Sequence, residues 1–381
     1  MTVWAPLEAS RVVTGLARQI AAGEIAHAWL LLGPAGSGKR PTSVAMAAAM
    51  LCPEQPGVGC GRCSTCLRVL RQRHPDVHHI VPEGPLIPVD VIRESVIPEA
   101  SRSPFEARMK VFVFEEAERM NPAAQNALLK TLEEPVADTV FILISDREEE
   151  LLETISSRCR VVHMESVPEQ RVIELLTRQG VSEEAALVAA RVSQGDLERA
   201  LMLATDGGSA DRRRLWLSIP RKLSSPVDAL DAATEILEET KIGVKALEFA
   251  QKAEAQELAD ILGERRGTAA ARNALAKKHK REQRRREEEL LGEALETIAS
   301  FYRDVLALRS GGAEAILNID TMSELEVWAG SDVDDLSLLR AAERCIDTRA
   351  TFLNNANPTL AMEATLVEIG HLVPAVARVH G

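Results

Sequence analysis

The hydrophobic and polar positions of this chain follow two regimes. Up to about residue 165, short apolar runs interrupt helical periodicity. Ala28–Leu32 is an apolar run that stops at Gly33, the pattern of a buried strand. Val77–Val81, Lys110–Phe114, Val140–Ser145 and Arg160–Met164 read the same way. Between them, residues 7–26 place Leu7, Val12, Leu16 and Ile20 at helical spacing. Thr42–Leu51 is an Ala-rich helix, Val89–Ile97 is helical, and Asn121–Glu133 is a helix that Pro135 stops. Strands alternating with helices predict a parallel α/β sheet over residues 1–165. Beyond Val167 the strand signal disappears. Residues 166–207 read as short helices, Asp206–Ala210 as a linker, and 211–381 as helical throughout, with a long charged piece at 264–289. No internal repeat is visible.

A length of 381 residues predicts two or three domains. The balance of 45 Lys and Arg against 57 Asp and Glu gives a net charge of −12, which excludes a surface that coats nucleic acid throughout; any such contact is local. Aromatics make up 3%, with Tyr302 the single tyrosine, so a platform for stacking unpaired bases is excluded too. No apolar run approaches the roughly 20 residues that cross a bilayer, so no membrane partner is expected. The N-terminus lacks the basic start and apolar core of a secretory signal, which predicts a cytoplasmic protein with reduced thiols. Six cysteines in that compartment point to a metal before a disulfide.

Gly33-Pro-Ala-Gly36-Ser-Gly38-Lys39-Arg40 fits the phosphate-binding pattern G-x-x-x-x-G-K and then breaks it. Backbone N–H groups of such a loop wrap phosphates, and Lys39 reaches the outer ones. The next residue is normally Ser or Thr, whose hydroxyl holds magnesium; Arg40 has no lone pair to offer and carries positive charge. ATP or ADP is therefore a candidate ligand, while magnesium is disfavoured. The plainer alternative is a Gly-rich turn without a ligand. Cys52, Cys60, Cys63 and Cys66 follow C-x7-C-x2-C-x2-C, a set that predicts a closed structural zinc site within an insert at 52–66. Cys159 and Cys345 read as packed residues. Lys110–Phe114 ends in Glu115 and Glu116. The first stands where an Asp usually helps hold magnesium, the second where a carboxylate polarises water; a solvated acidic cap is the alternative.

These pieces in this order resemble the AAA+ subunits of the bacterial clamp loader. The resemblance rests on His27-Ala-Trp-Leu, the P-loop, the cysteine insert, Asn126-Ala-Leu-Leu-Lys-Thr-Leu-Glu-Glu-Pro135 and Ser157-Arg158-Cys159, and more weakly on Asn354-Asn-Ala-Asn-Pro358. It implies an α/β AAA+ core with a zinc insert, a small helical lid (166–207) and an all-α collar (211–381). It implies a hetero-oligomer with gamma/tau and delta subunits that loads a sliding clamp on primed DNA. Arg158 resembles the arginine finger that completes a neighbouring subunit's ATP site, and Ser145 falls at the sensor position that touches the outer phosphate. Glu198, in Gly195-Asp-Leu-Glu, stands where active relatives place an Arg. Arg40, Glu115 and Glu198 thus all weaken this chain's own ATP chemistry, while Arg158 is intact, which favours a subunit that does not hydrolyse ATP. The rivals are an active gamma/tau-like ATPase using Lys39 and Glu116, and a nucleic-acid-binding module using the zinc loop and the basic helix. Between Arg265 and Arg286 there are ten Lys or Arg against Glu282 alone. By helical period these cations gather on no single clean face, and the bland reading is a solvated helix.

Overall fold

The computed structural model describes residues 2–7, 10–82, 86–134, 136, 138–262, 268–352 and 356–373. The chain forms two compact units, Met1–Met202 and Leu203–Gly381. Among the described residues no helix is long and apolar enough to cross a membrane.

The first unit is built on five parallel strands, β1 (Ala28–Leu32), β2 (Val77–Ile80), β3 (Lys110–Phe114), β4 (Thr139–Ser145) and β5 (Arg160–His163), in the order β2-β3-β4-β1-β5. All residues of β1, β3 and β4 are buried, as expected of strands covered on both faces. One face turns Trp29, Leu31, Val113 and Ile142 into a core with α1 (Arg11–Ala21) and α2 (Lys39–Leu51). The other turns Leu30, Leu32, Phe112, Phe114 and Phe141 toward Leu128 and Leu132 of α5 (Pro122–Glu133). α3 (Ser64–Leu70) follows the cysteine loop, and α4 (Ile97–Ala100) extends a helical segment at Val91–Val96. α6 (Glu153–Ser156) leads into β5. α7 (Glu169–Arg178), α8 (Glu183–Ser193) and α9 (Leu197–Thr205) then form the short helices predicted after residue 166. The predicted helix over 7–26 is shorter than the pattern implied. Ser10 caps it by accepting from the Val13 N–H, and it stops at Ala21 before Gly23, whose φ of 81° lies in the left-handed region.

The second unit is helical throughout: α10 (Gly207–Ser218), α11 (Pro226–Leu262), α12 (Thr268–Arg309), α13 (Met322–Ala329), α14 (Asp335–Phe352) and α15 (Pro358–Leu372). The predicted linker at Asp206–Ala210 is instead the start of α10. Asp206 accepts from the Ser209 N–H (3.0 Å) and hydroxyl (2.6 Å), and this N-cap outweighs the two glycines that follow it. The core joins α12 (Leu291, Leu295, Ile298, Val305) to α14 (Leu338, Cys345) and α15 (Met362, Leu366, Ile369). Phe301, Tyr302 and Trp328 meet edge to face. Buried Asp304 accepts the N–H groups of Leu317 and Asn318, and Arg213 forks onto Asp320 and Asn318. Asn357 caps α15; Asn354 and Asn355 of the collar motif, and Glu264–Gly267 of the basic segment, lie outside the described residues.

Candidate functional site

In this strand order, the loop leaving β1 sits between the C-terminal ends of β4 and β5, the usual crevice of an open α/β sheet. Gly33, Gly36 and Gly38 have φ of 154°, 77° and 80°, which turn the loop into the N-terminus of α2. A Cβ at Gly33 would lie 2.1 Å from the Met164 carbonyl oxygen, so no side chain fits there. The strand–loop–helix frame is therefore that of a phosphate loop.

The charges inside it are already matched. Lys39 is nearly buried; its Nζ donates to the Gly33 and Pro34 carbonyls (2.6 Å each) and pairs with Asp146 Oδ1 at 2.9 Å. Arg40 Nε lies 3.2 Å from Glu115 Oε2, and His79 Nδ1 lies 3.6 Å from Glu115 Oε1. The strand-end carboxylate is thus paired with a half-exposed guanidinium. Glu116, at φ 52°, pairs with Arg119 at 2.7 Å. Ser145 is buried, bonded to the backbone of Arg147, and contributes to holding Glu118, whose carboxyl burial pushes up.

The structure corrects one expectation about this pocket. Glu198 is exposed, and the carboxylate against the phosphate loop is Asp196. A Cβ on Gly36 would lie 2.4 Å from Asp196 Cβ and 2.8 Å from its Oδ2. Asp196 accepts from the Arg199 N–H in the first turn of α9, which fixes its side chain over the loop. Burial raises its carboxyl, with Arg199 and Lys39 acting the other way. Sequence reasoning missed Asp146, Asp196 and His79. Asp146 directly follows the apolar run of β4, but only the strand order, which the sequence does not display, brings it to Lys39.

Arg158 stands just before β5. Its Nη1 donates to the Thr154 carbonyl (2.9 Å), its other arm pairs with Glu133, and its side chain is about one-third exposed. It precedes the N-terminal end of β5, whereas the phosphate loop lies at the C-terminal end of β1.

The four insert cysteines converge. All four Sγ atoms lie within 4.8 Å of one another, with Cys52 and Cys63 3.9 Å apart; tetrahedral zinc with 2.3 Å bonds needs sulfurs about 3.8 Å apart. Backbone N–H groups of Gln55, Cys63 and Cys66 point at the Cys52, Cys60 and Cys63 sulfurs (3.3–3.4 Å), though burial still raises the Cys63 thiol. Burial acts to raise the Cys52 thiol, but the N–H groups of Cys60 and Gln55 outweigh it and bring it to about 7. Burial pushes Cys66 up, so its ionisation calls for a metal. The residues fit zinc. Cys159 and Cys345 stay protonated, each pushed up to about 12 by burial.

Residues 8–168 match the family model described as DNA polymerase III, delta subunit. Over 205 residues the chain is 30% identical to DNA polymerase III subunit delta' of Bacillus subtilis, covering 54% of this chain and 62% of that protein. Over 137 residues it is 45% identical to subunit delta' of Pseudomonas aeruginosa, covering 35% and 42%. It is also 29% identical over 201 residues to subunit tau of Escherichia coli, covering 50% and 31%. The chain thus spans less than two thirds of the length of each of these relatives. The resemblance to the AAA+ subunits of the bacterial clamp loader, read from the motifs, is borne out over residues 8–168.

Proposed function

We propose that this chain is a delta'-type subunit of a DNA polymerase III clamp loader that does not hydrolyse ATP itself and completes a neighbour's ATP site with Arg158. The observation that carries this reading is the ion pairing in its own pocket. Arg40 faces Glu115 where magnesium would lie, Lys39 is engaged by Asp146, and Asp196 sets a carboxylate over the loop. Phosphates entering would meet the carboxylates of Asp146 and Asp196 and find the lysine in use. Arg158, by contrast, is held by a hydrogen bond to the Thr154 carbonyl and a partly exposed ion pair with Glu133, the pair worth about 0–1 kcal/mol. A finger supplied in trans gains about 10³–10⁵ in rate, roughly 4–7 kcal/mol of transition-state stabilisation. Cys52, Cys60, Cys63 and Cys66 would hold a structural zinc with no open position for chemistry. Partners on this reading are gamma/tau and delta subunits, the sliding clamp and primed DNA.

The experiment is reconstitution with the other loader subunits. The isolated chain should show negligible ATP turnover, and the complex should turn over ATP in its presence. Magnesium-dependent turnover by the isolated chain, abolished by Glu116→Gln, would instead establish the active gamma/tau-like reading.

A further inference from the structure

α12 carries a basic surface that the reading above does not use. α11 and α12 run antiparallel, and their register is fixed by polar contacts. Gln251 Nε2 donates to Glu282 Oε2 (2.7 Å), Gln283 Nε2 donates to Gln251 Oε1 (2.7 Å), and His279 Nε2 lies 3.2 Å from Glu254 Oε2. Gly243 lies against Leu290 further along. This pairing turns His279, Glu282, Gln283 and Arg286 inward. It leaves Lys277, Lys280, Arg281 and Arg284 exposed, at the i, i+3, i+4, i+7 spacing of one helical face. The cations as a set share no single face, as the sequence predicts, but these four do, and the hairpin partner decides that their side is outward.

Lys277 and Lys280 have no ion-pair partner among the described residues, and Arg284 reaches Glu288 (3.0 Å) along its own helix. Arg285 and Arg286 are matched to Glu289. Among the described residues from Arg272 to Arg286, the only exposed uncharged ones are Asn273 and Ala276. A protein partner is normally anchored by aromatic or aliphatic side chains at the centre of the contact, and this face has none. It has no ring to stack on an unpaired base either. It offers cations only, over about 10 Å of helix, a length that spans about three phosphates of one duplex strand.

We propose that this outer face of α12 binds the phosphate backbone of duplex DNA without reading its sequence. The net charge of −12 keeps the contact local to the hairpin. The proposal does not rest on the ATP chemistry above.

The test is fluorescence anisotropy of the full chain with two labelled duplexes of unrelated sequence, about 20 base pairs each, across a salt series. The chain should bind both alike. The variant K277Q/K280Q/R281Q/R284Q should lose tenfold or more in affinity near 50 mM salt, and the slope of log K against log salt should become shallower by about 3. The charge-keeping variant K277R/K280R/R281K/R284K should bind as the parent does, with unchanged helicity by circular dichroism in both variants. Failure of the parent chain to bind duplex would overturn the proposal, as would a glutamine variant with unchanged affinity and slope. Tighter binding of polyglutamate than of duplex at equal salt would overturn it in favour of an acidic protein partner.

Discussion

Arg40 is a single-residue change whose consequence is electrostatic. A hydroxyl there would offer magnesium an oxygen; a guanidinium offers only donors and a fixed positive charge beside Glu115. ATP affinity of the chain should therefore be insensitive to magnesium, and R40S/E115D should introduce a magnesium dependence of tenfold or more, read by titration calorimetry with and without the ion. An unchanged magnesium response in the double variant would count against this account. Asp76 shows the same economy in a structural role. It is wholly buried and accepts the N–H groups of Phe105, Glu106 and Ala107. Burial acts to raise its carboxyl, but those three donors outweigh it and hold it below the usual range. A lowered folded value contributes stability above the unfolded pKa of about 3.9, which is lost as pH falls through the folded value. Asp76→Asn should cost about 2 kcal/mol at neutral pH by denaturant titration, and the gap to the parent should close below about pH 4. A gap of equal size at low pH would show that the carboxylate charge is not the cause.

At the scale of elements, the strands and most helices of the first unit were legible because burial on both faces writes near-continuous apolar runs. β1 and β3 fall on the predicted residues, and β4 begins one residue early. The cysteine cluster was legible from spacing alone. What was not legible depends on neighbours: Asp206 converting an apparent linker into α10, Asp196 rather than Glu198 over the loop, and α11 choosing the outward face of α12. Chain purified from zinc-containing medium should hold one zinc per molecule by metal analysis, C63S/C66S should hold none, and chelation should lower the melting temperature by several degrees, since metal bound only to the folded state adds its binding free energy to stability. Retention of full thermal stability after complete metal removal would contradict a structural role. Asp206→Ala, which removes the cap of α10, should cost about 1 kcal/mol by thermal or denaturant unfolding; a change within error would show that the two hydrogen bonds at that cap are of no consequence.

For the whole molecule, the account rests on a division of labour within one α/β unit. The phosphate loop keeps the glycines and lysine of an ATP site, yet its charges are satisfied internally. The guanidinium of Arg158 is about one-third exposed and tied only to the Thr154 carbonyl and Glu133. Sequence motifs displayed both halves of that contrast, while the internal satisfaction itself, through Asp146 and Asp196, required the strand order and the placement of α9. The most direct measurement is steady-state ATP turnover of the reconstituted loader carrying either Lys39→Ala or Arg158→Ala in this chain, with assembly checked by gel filtration. The account predicts that Lys39→Ala leaves turnover unchanged, and that Arg158→Ala lowers it roughly twofold or more through loss of one neighbouring site. A complex slowed by Lys39→Ala and indifferent to Arg158→Ala would contradict it.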